Sequence, residues 1–295
     1  MKPAWLLLLC LAAVPAARQQ PLFKSGVDVV SLDVSVRDGG KVISGMSAPD
    51  FALFDNGVPQ DIADLTYGKL PIDVTVALDI SYSVTGAQLG RLRLAVAQLM
   101  KDLGAEDRLR LMLFNERVHR AVDFTTDVRR VEDAIVHAAP GGATSVFDAL
   151  SVSLVSAEQP DRRQLVVLFT DGIDSMSFTE PRVLIDLARH TNVTLSAVLP
   201  DMSVSGLRVR LPAMATEHLK VYKQLSADTG GVIVPLPPGA NLTSTFAKAL
   251  DEFRSSYVLH FSPRGSDAVG FHELTVTVPA RPKLTVRARK GYWKQ

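Results

Sequence analysis

Val74-Thr75-Val76-Ala77-Leu78-Asp79-Ile80-Ser81-Tyr82-Ser83 runs from strand-forming apolar residues into three oxygen side chains at alternate positions, Asp79, Ser81 and Ser83. A strand that stops at Asp79 and opens into a loop can turn one carboxylate and two hydroxyls toward a common point. That set suits a hard cation such as Mg²⁺, which takes oxygen ligands. Near-continuous apolar runs recur at 109–114, 165–169 and 193–199, as expected of strands buried on both faces of a parallel sheet. Between them, 87–103 places Leu89, Leu92, Ala95, Val96 and Leu99 on one side at helical spacing, and 146–155, 183–190 and 242–253 are also helical. Such alternation predicts an α/β fold with an open, doubly wound, mostly parallel sheet. Ligands of these sheets bind outside the carboxyl ends of the strands, where both Asp79 and Asp171 fall.

Asp79-Ile80-Ser81-Tyr82-Ser83 resembles the Asp-x-Ser-x-Ser signature of the metal-ion-dependent adhesion site (MIDAS) in von Willebrand factor type A (VWA) domains. Gly141-Gly142-Ala143-Thr144 offers the threonine of that pattern, and Leu165-Val166-Val167-Leu168-Phe169-Thr170-Asp171-Gly172 offers its late aspartate. The resemblance covers about 72–254. The flanks resemble a bacterial secreted group labelled VWFA-related, which opens with a strand pair like 27–62 and ends with a segment like 284–293. The resemblance implies a VWA/Rossmann-like sheet with Asp79, Ser81, Ser83, Thr144 and Asp171 as metal ligands. It implies Mg²⁺, or Mn²⁺ or Ca²⁺, as the cation, and a protein partner whose exposed Asp or Glu completes the coordination. It implies a binding and adhesion module, not an enzyme. Integrin-type relatives carry extra acidic residues after the serine pair; Val84-Thr85-Gly86-Ala87 has none, so a single metal is expected. The loops holding Tyr82, Asn115, Ser145 and Asp174 are the expected partner-binding surface.

Each piece also has a local explanation. Ser81 and Ser83 could be ordinary loop residues, and Asp171-Gly172 an ordinary turn. Thr144 or Ser145 could cap the following helix with Asp148 reaching back. Three pieces in the right order at the ends of parallel strands favour the site. An alternative is a Mg²⁺-dependent phosphohydrolase of haloacid-dehalogenase type, since Asp171-Gly172-Ile173-Asp174 superficially resembles its late acidic motif. That chemistry needs an acid/base carboxylate two residues after the nucleophile, and the position holds Ser81. Without proton transfer such a reaction loses roughly 10²- to 10⁴-fold. A structural scaffold with an empty site is the third reading.

Six histidines fall singly, without a His-x-x-x-His pair, so zinc hydrolysis has no ligand set. No Gly-x-Ser-x-Gly elbow or phosphate-binding Gly-Lys-Ser/Thr loop occurs. Lys and Arg number 32 against 31 Asp and Glu, without a basic block, so no nucleic-acid partner is expected.

Met1-Lys2-Pro3, the apolar run 4–14 and Pro15-Ala16-Ala17 form the pattern of a secretory signal peptide, 1–17. The run is shorter than the ~20 residues of a membrane span. The expectation is a secreted or periplasmic protein, without Cys10 after cleavage and hence without a disulfide. Alternation at 30–37 marks a half-buried strand, and Asp55-Asn56-Gly57 between apolar runs marks a hairpin. Alternation returns at 257–261, 274–278 and 284–288. Neither flank alone has enough strands for a two-sheet core. The expected organisation is therefore an amino-terminal β segment, 22–68, pairing with a carboxyl-terminal one, 255–295, in a β-sandwich, with a VWA domain, 70–254, inserted between them. The stretch 201–217 reads as an insertion-like loop beside the metal-bearing edge.

Overall fold

Strand β6 (Ile72–Asp79) is buried at every position, which explains its unbroken apolar run. A computed structural model describes residues 29–68, 70–84, 86–156, 162–200, 213–266 and 268–294. The signal-peptide segment and 201–212 lie outside the described residues.

The flanking strands form two sheets. From the amino-terminal side come β1 (Val30–Asp38), β2 (Lys41–Val42), β3 (Ala52–Asp55), β4 (Val58–Gln60) and β5 (Ile62–Tyr67). After the α/β part come β12 (Tyr257–Phe261), β13 (Gly270–Thr277), β14 (Thr285–Ala288) and β15 (Gly291–Lys294). One sheet runs β14-β1-β12-β5 with β2 beside β1, and the other runs β15-β13-β3-β4. Both therefore interleave strands from the two ends of the chain. Leu32, Val34 and Leu259 of the first sheet share a core with Leu53, Leu274 and Tyr292 of the second. At the β3–β4 hairpin Asn56 and Gly57 both have positive φ, 49° and 80°, the backbone that an Asn-Gly turn supplies.

Between the flanks runs a six-stranded sheet whose further strands are β7 (Arg108–Phe114), β8 (Val118–Thr125), β9 (Arg163–Phe169), β10 (Thr194–Pro200) and β11 (Ile233–Leu236). Its order is β11-β10-β9-β6-β7-β8, parallel except for β8, which pairs antiparallel with β7. Helices α1 (Gly86–Asp102), α2 (Val128–Val136) and α6 (Leu242–Arg254) pack on one face. Helices α3 (Val146–Val155), α4 (Pro181–Arg189) and α5 (Ala213–Thr229) pack on the other. The expectation of a loop through 201–217 is corrected in part, because 213–217 form the first turn of α5. None of the described helices is long and apolar enough to cross a membrane.

The connection from β6 runs to β7 on one side and that from β9 runs to β10 on the other, so a topological switch point lies between β6 and β9. Crevices open at the carboxyl ends of strands at such points. The sandwich meets the opposite edge. Arg163, at the start of β9, reaches Asp33 of β1 at 2.7 Å and the Ser256 hydroxyl at 2.6 Å. Arg289 reaches the Asn192 side chain at 2.7 Å just before β10.

Candidate metal centre

Asp79 ends β6 at the switch point, and its side chain is fully buried. One carboxylate oxygen accepts from the Ser81 amide at 2.8 Å and the other from the Thr170 hydroxyl at 2.7 Å. Burial pushes its carboxyl above the usual carboxylate range; hydrogen bonds from Ser81 and Thr170 offset part of that, and the neighbouring Asp171 charge adds to it. A buried acid with a second acid nearby favours a cation between them.

The loop after β6 brings the Ser81 and Ser83 hydroxyl oxygens to 3.1 Å from each other, and the Val84 amide closes the turn onto the Ser81 carbonyl at 2.9 Å. A second loop docks alongside: the Gly141 amide donates to the Ile80 carbonyl at 2.8 Å, and the Tyr82 amide to the Gly142 carbonyl at 3.2 Å. Gly142 has φ +77°, and a Cβ there would lie 2.6 Å from Oε2 of Glu116. Glycine is favoured at 142 by its backbone, since the Glu116 carboxylate is the end of an exposed, flexible side chain that can move aside.

The third loop follows β9. The Thr144 amide donates to the Ser175 hydroxyl at 3.0 Å, and the Thr144 carbonyl accepts from the amides of Ser175 and Met176 at 2.9 and 3.1 Å. Both backbone groups of Thr144 are thereby engaged, while its side-chain hydroxyl remains uncommitted among the described residues. Asp171 is exposed, and one of its oxygens accepts the Ile173 amide at 3.1 Å. The three loops that carry Asp79, Ser81, Ser83, Thr144 and Asp171 thus meet at one edge of the sheet.

The capping expectation is corrected. Ser145 is the N-cap of α3 without a side-chain cap bond. Asp148 does not reach back; it accepts the amides of Phe178 and Thr179 at 3.0 and 2.9 Å and the Thr179 hydroxyl at 2.7 Å. The helix start is instead satisfied from the third loop, by Asp174 on the Phe147 amide and the Ser177 hydroxyl on the Asp148 amide.

Of the expected partner-binding residues, Tyr82 is 84% exposed. The other three are turned inward. Asn115 ties the Gly141 carbonyl and the Arg117 amide with its side chain, while Ser145 and Asp174 are buried. Backbone groups in tight loops need partners, and the Asn115 and Asp174 side chains supply them. The residues that do project are Met176 and Phe178, the latter 95% exposed. Thr170 and Ser175, which hydrogen-bond Asp79 and Thr144, are residues that the motif does not specify. Thr170 could be suspected from its place beside Asp171, but its partner is 91 residues away.

No group of three His, Cys, Asp or Glu comes together among the described residues. The expected donor set, two carboxylates and three hydroxyls, is all oxygen. Oxygen-only sets fit Mg²⁺, Mn²⁺ or Ca²⁺ in preference to softer metals.

The sequence profile of the von Willebrand factor type A domain matches residues 73–223, about half of the chain. The protein belongs to the von Willebrand factor type A domain family. Domains of this class commonly mediate protein–protein interaction, and their MIDAS motifs bind divalent cations. Among similar proteins, inter-alpha-trypsin inhibitor heavy chain H4 of Sus scrofa is 26% identical over 126 residues. That alignment covers 39% of this chain and 14% of the relative, so the chain spans only a small part of that protein's length. Proximal thread matrix protein 1 from the mussel byssus superposes with a TM-score of 0.50 at 16% identity, covering 64% of this chain and 48% of that one. The same mussel protein with a zinc-occupied MIDAS motif gives 0.48 at 15% identity, covering 62% and 48%. These structural likenesses are of fold alone.

Proposed function

We propose that Asp79, Ser81, Ser83, Thr144 and Asp171 hold one divalent cation, Mg²⁺ or alternatively Mn²⁺ or Ca²⁺, and that the cation captures an Asp or Glu side chain of a partner protein. The observation that carries this reading is Asp79, a fully buried carboxylate raised by burial, beside two hydroxyls 3.1 Å apart. Two carboxylates balance the charge of a divalent ion, and three neutral hydroxyls leave a position of an octahedral shell open. When bound, the cation supplies a Lewis-acidic position for the incoming carboxylate. The chain orients the ligands through Thr170 on Asp79 and Ser175 on Thr144, and presents Tyr82, Met176 and Phe178 around the opening. Ser81 stands where a phosphotransferase needs a proton-transfer carboxylate, which supports a binding role over a catalytic one. The amino-terminal signal pattern supports action outside the cytoplasm.

Titration calorimetry with Mg²⁺ and Mn²⁺ tests the site. Saturable binding is expected, with a rise in thermal midpoint equivalent to ~2.7 kcal/mol at a hundredfold excess over Kd. Asp79→Ala should abolish both. No binding up to millimolar concentration in the unmutated protein overturns the reading. The partner half is tested by binding with and without chelator, and by assaying phosphate esters: metal-dependent turnover that disappears in Asp79→Asn would promote an enzyme.

A further inference from the structure

A second cleft lies at the sheet edge away from Asp79, where α5, the start of β11 and the edge strand β14 meet. The Leu195 amide donates to the Thr229 hydroxyl at 3.0 Å, so the carboxyl end of α5 sits beside the start of β10. The cleft is an open groove of about 370 Å³ and includes Lys223, Ser226, Ile233, Val286, Arg287 and Lys290 in its lining. Ligand pockets begin at roughly 300 Å³.

Its charge is unbalanced. The lining holds three cations and no carboxylate among the described residues. Glu252 beside it is shared by Arg287 at 2.9 Å and Arg37 at 3.0 Å. Asp228 is shared by Lys290 at 3.0 Å and Arg189 at 3.1 Å. Lys223 has no carboxylate partner among the described residues. Lys223, Arg287 and Lys290 line the cleft, and with Arg37 and Arg189, which share the two carboxylates from outside it, five cations stand against Glu252 and Asp228, a formal excess of three positive charges. Such an excess favours an anion.

Ser226 gives an independent indication. It is 2% exposed, its carbonyl accepts the Gly231 amide at 2.8 Å, and its hydroxyl, closed to solvent in this rotamer, has no partner among the described residues, so a rotation about χ1 is what would turn it toward the cleft. Buried hydroxyls are nearly always satisfied, and the exceptions call for an explanation such as a bound group. The remaining wall is apolar, from Ala227, Ile233, Val286 and Ala288.

We propose that this cleft binds a carboxylate carried on a short apolar body, with Lys223 and Lys290 pairing with the anion, the Ser226 hydroxyl donating to it, and Ile233 and Val286 covering the apolar part. A free aliphatic acid and the apolar carboxyl-terminal residue of a peptide share this chemistry. Because the cleft joins the α/β part to the sandwich, its occupant bridges the two.

The test uses the full chain in chelator, so that the metal face is silent. Hexanoate and hexanamide are compared by calorimetry and thermal shift, together with short peptides ending in leucine as the free acid or the amide. Saturable binding of the acids and not the amides is expected, and the tighter of hexanoate and the leucine acid identifies the source. Lys223→Glu should weaken binding about tenfold or more. Because Lys223 is exposed and has no carboxylate partner among the described residues, the thermal midpoint of the ligand-free variant should not fall. Ser226→Ala should weaken binding several-fold while holding or raising that midpoint, since it removes an unsatisfied buried hydroxyl. Equal response to acid and amide, no saturable response to any probe up to millimolar concentration, or binding unaffected by Lys223→Glu overturns the proposal.

Discussion

The Thr170 hydroxyl donates to Oδ2 of Asp79 at 2.7 Å across 91 residues of sequence. It fixes the plane of a carboxylate whose other oxygen is held by the Ser81 amide at 2.8 Å. Orientation by a residue that does not itself touch the metal is a common part of such sites, and its loss typically costs 10- to 100-fold in metal affinity. Thr170→Val should therefore lower Mn²⁺ affinity by roughly that factor while the chain stays folded. Calorimetry beside a circular dichroism melt checks it. Unchanged affinity would mean that Thr170 has no orienting role.

The third loop gives a second expectation. Asp174 holds the Phe147 amide at 3.0 Å and the Ser177 amide at 3.2 Å from a buried position. Asp174→Ala leaves those donors unpaired, at about 1–3 kcal/mol. It should also accelerate amide exchange through 173–180 and at the start of α3, with β6 unaffected. Uniform acceleration across the sheet would instead indicate global destabilisation.

Burial explains how much of this was legible in sequence. Strands β6, β9 and β10 are covered on both faces, so their apolar runs announce them. The motif is legible because Asp79, Ser81, Ser83 and Asp171 sit within a few residues of the ends of β6 and β9, and Thr144 just before α3. Strand β8 is not announced, since as an antiparallel edge strand it buries only Val122 among mixed exposed positions. The first turn of α5 is likewise disguised, with Met214, Thr216 and Glu217 exposed around buried Ala215. Asp148 and Asp174 illustrate the remaining difficulty. The local spacing suggested a capping box, but their partners lie about 30 residues away across a loop contact that local propensity does not encode.

Asp73, at the opposite end of β6, gives a pH expectation. Burial alone would raise its carboxyl, but hydrogen bonds from Arg108 at 2.7 Å and Arg162 at 2.6 Å outweigh burial and hold it below the usual range. A folded-state pKa below the unfolded one gives stability that is fully present above ~3.9 and is lost as pH falls through the lower folded value. Asp73→Asn should cost about 3 kcal/mol near pH 7, as breaking a buried pair does. The gap from the unmutated protein should close below pH ~4. Urea unfolding between pH 3 and pH 7 measures it, and a gap independent of pH would remove the carboxylate from the explanation.

The sandwich makes the last expectation. Its carboxyl-terminal strands pair with amino-terminal ones, β14 with β1 and β13 with β3. Buried Asp55 joins the same two ends, accepting from Tyr292 at 2.8 Å and Ser266 at 2.7 Å and pairing with His272 at 2.7 Å. Deleting 270–295 should therefore abolish amide protection at 30–36 while β6 and β9 stay protected. Retained protection at 30–36 would show that β1 needs only β12 and β5.

The two ends of the chain, woven into the same sheets, also determine how the molecule carries load. The α/β part joins the sandwich through two covalent crossings, from β5 into β6 and from α6 into β12, both at the edge away from Asp79. A pull between the loops that carry Asp79 and Asp171 and the sandwich is therefore divided between two polypeptide strands side by side. The Arg163–Asp33 and Arg289–Asn192 contacts bridge the same gap in parallel with them. Neither crossing can extend alone, so tension acts on the pair together, as on the two legs of a clamp.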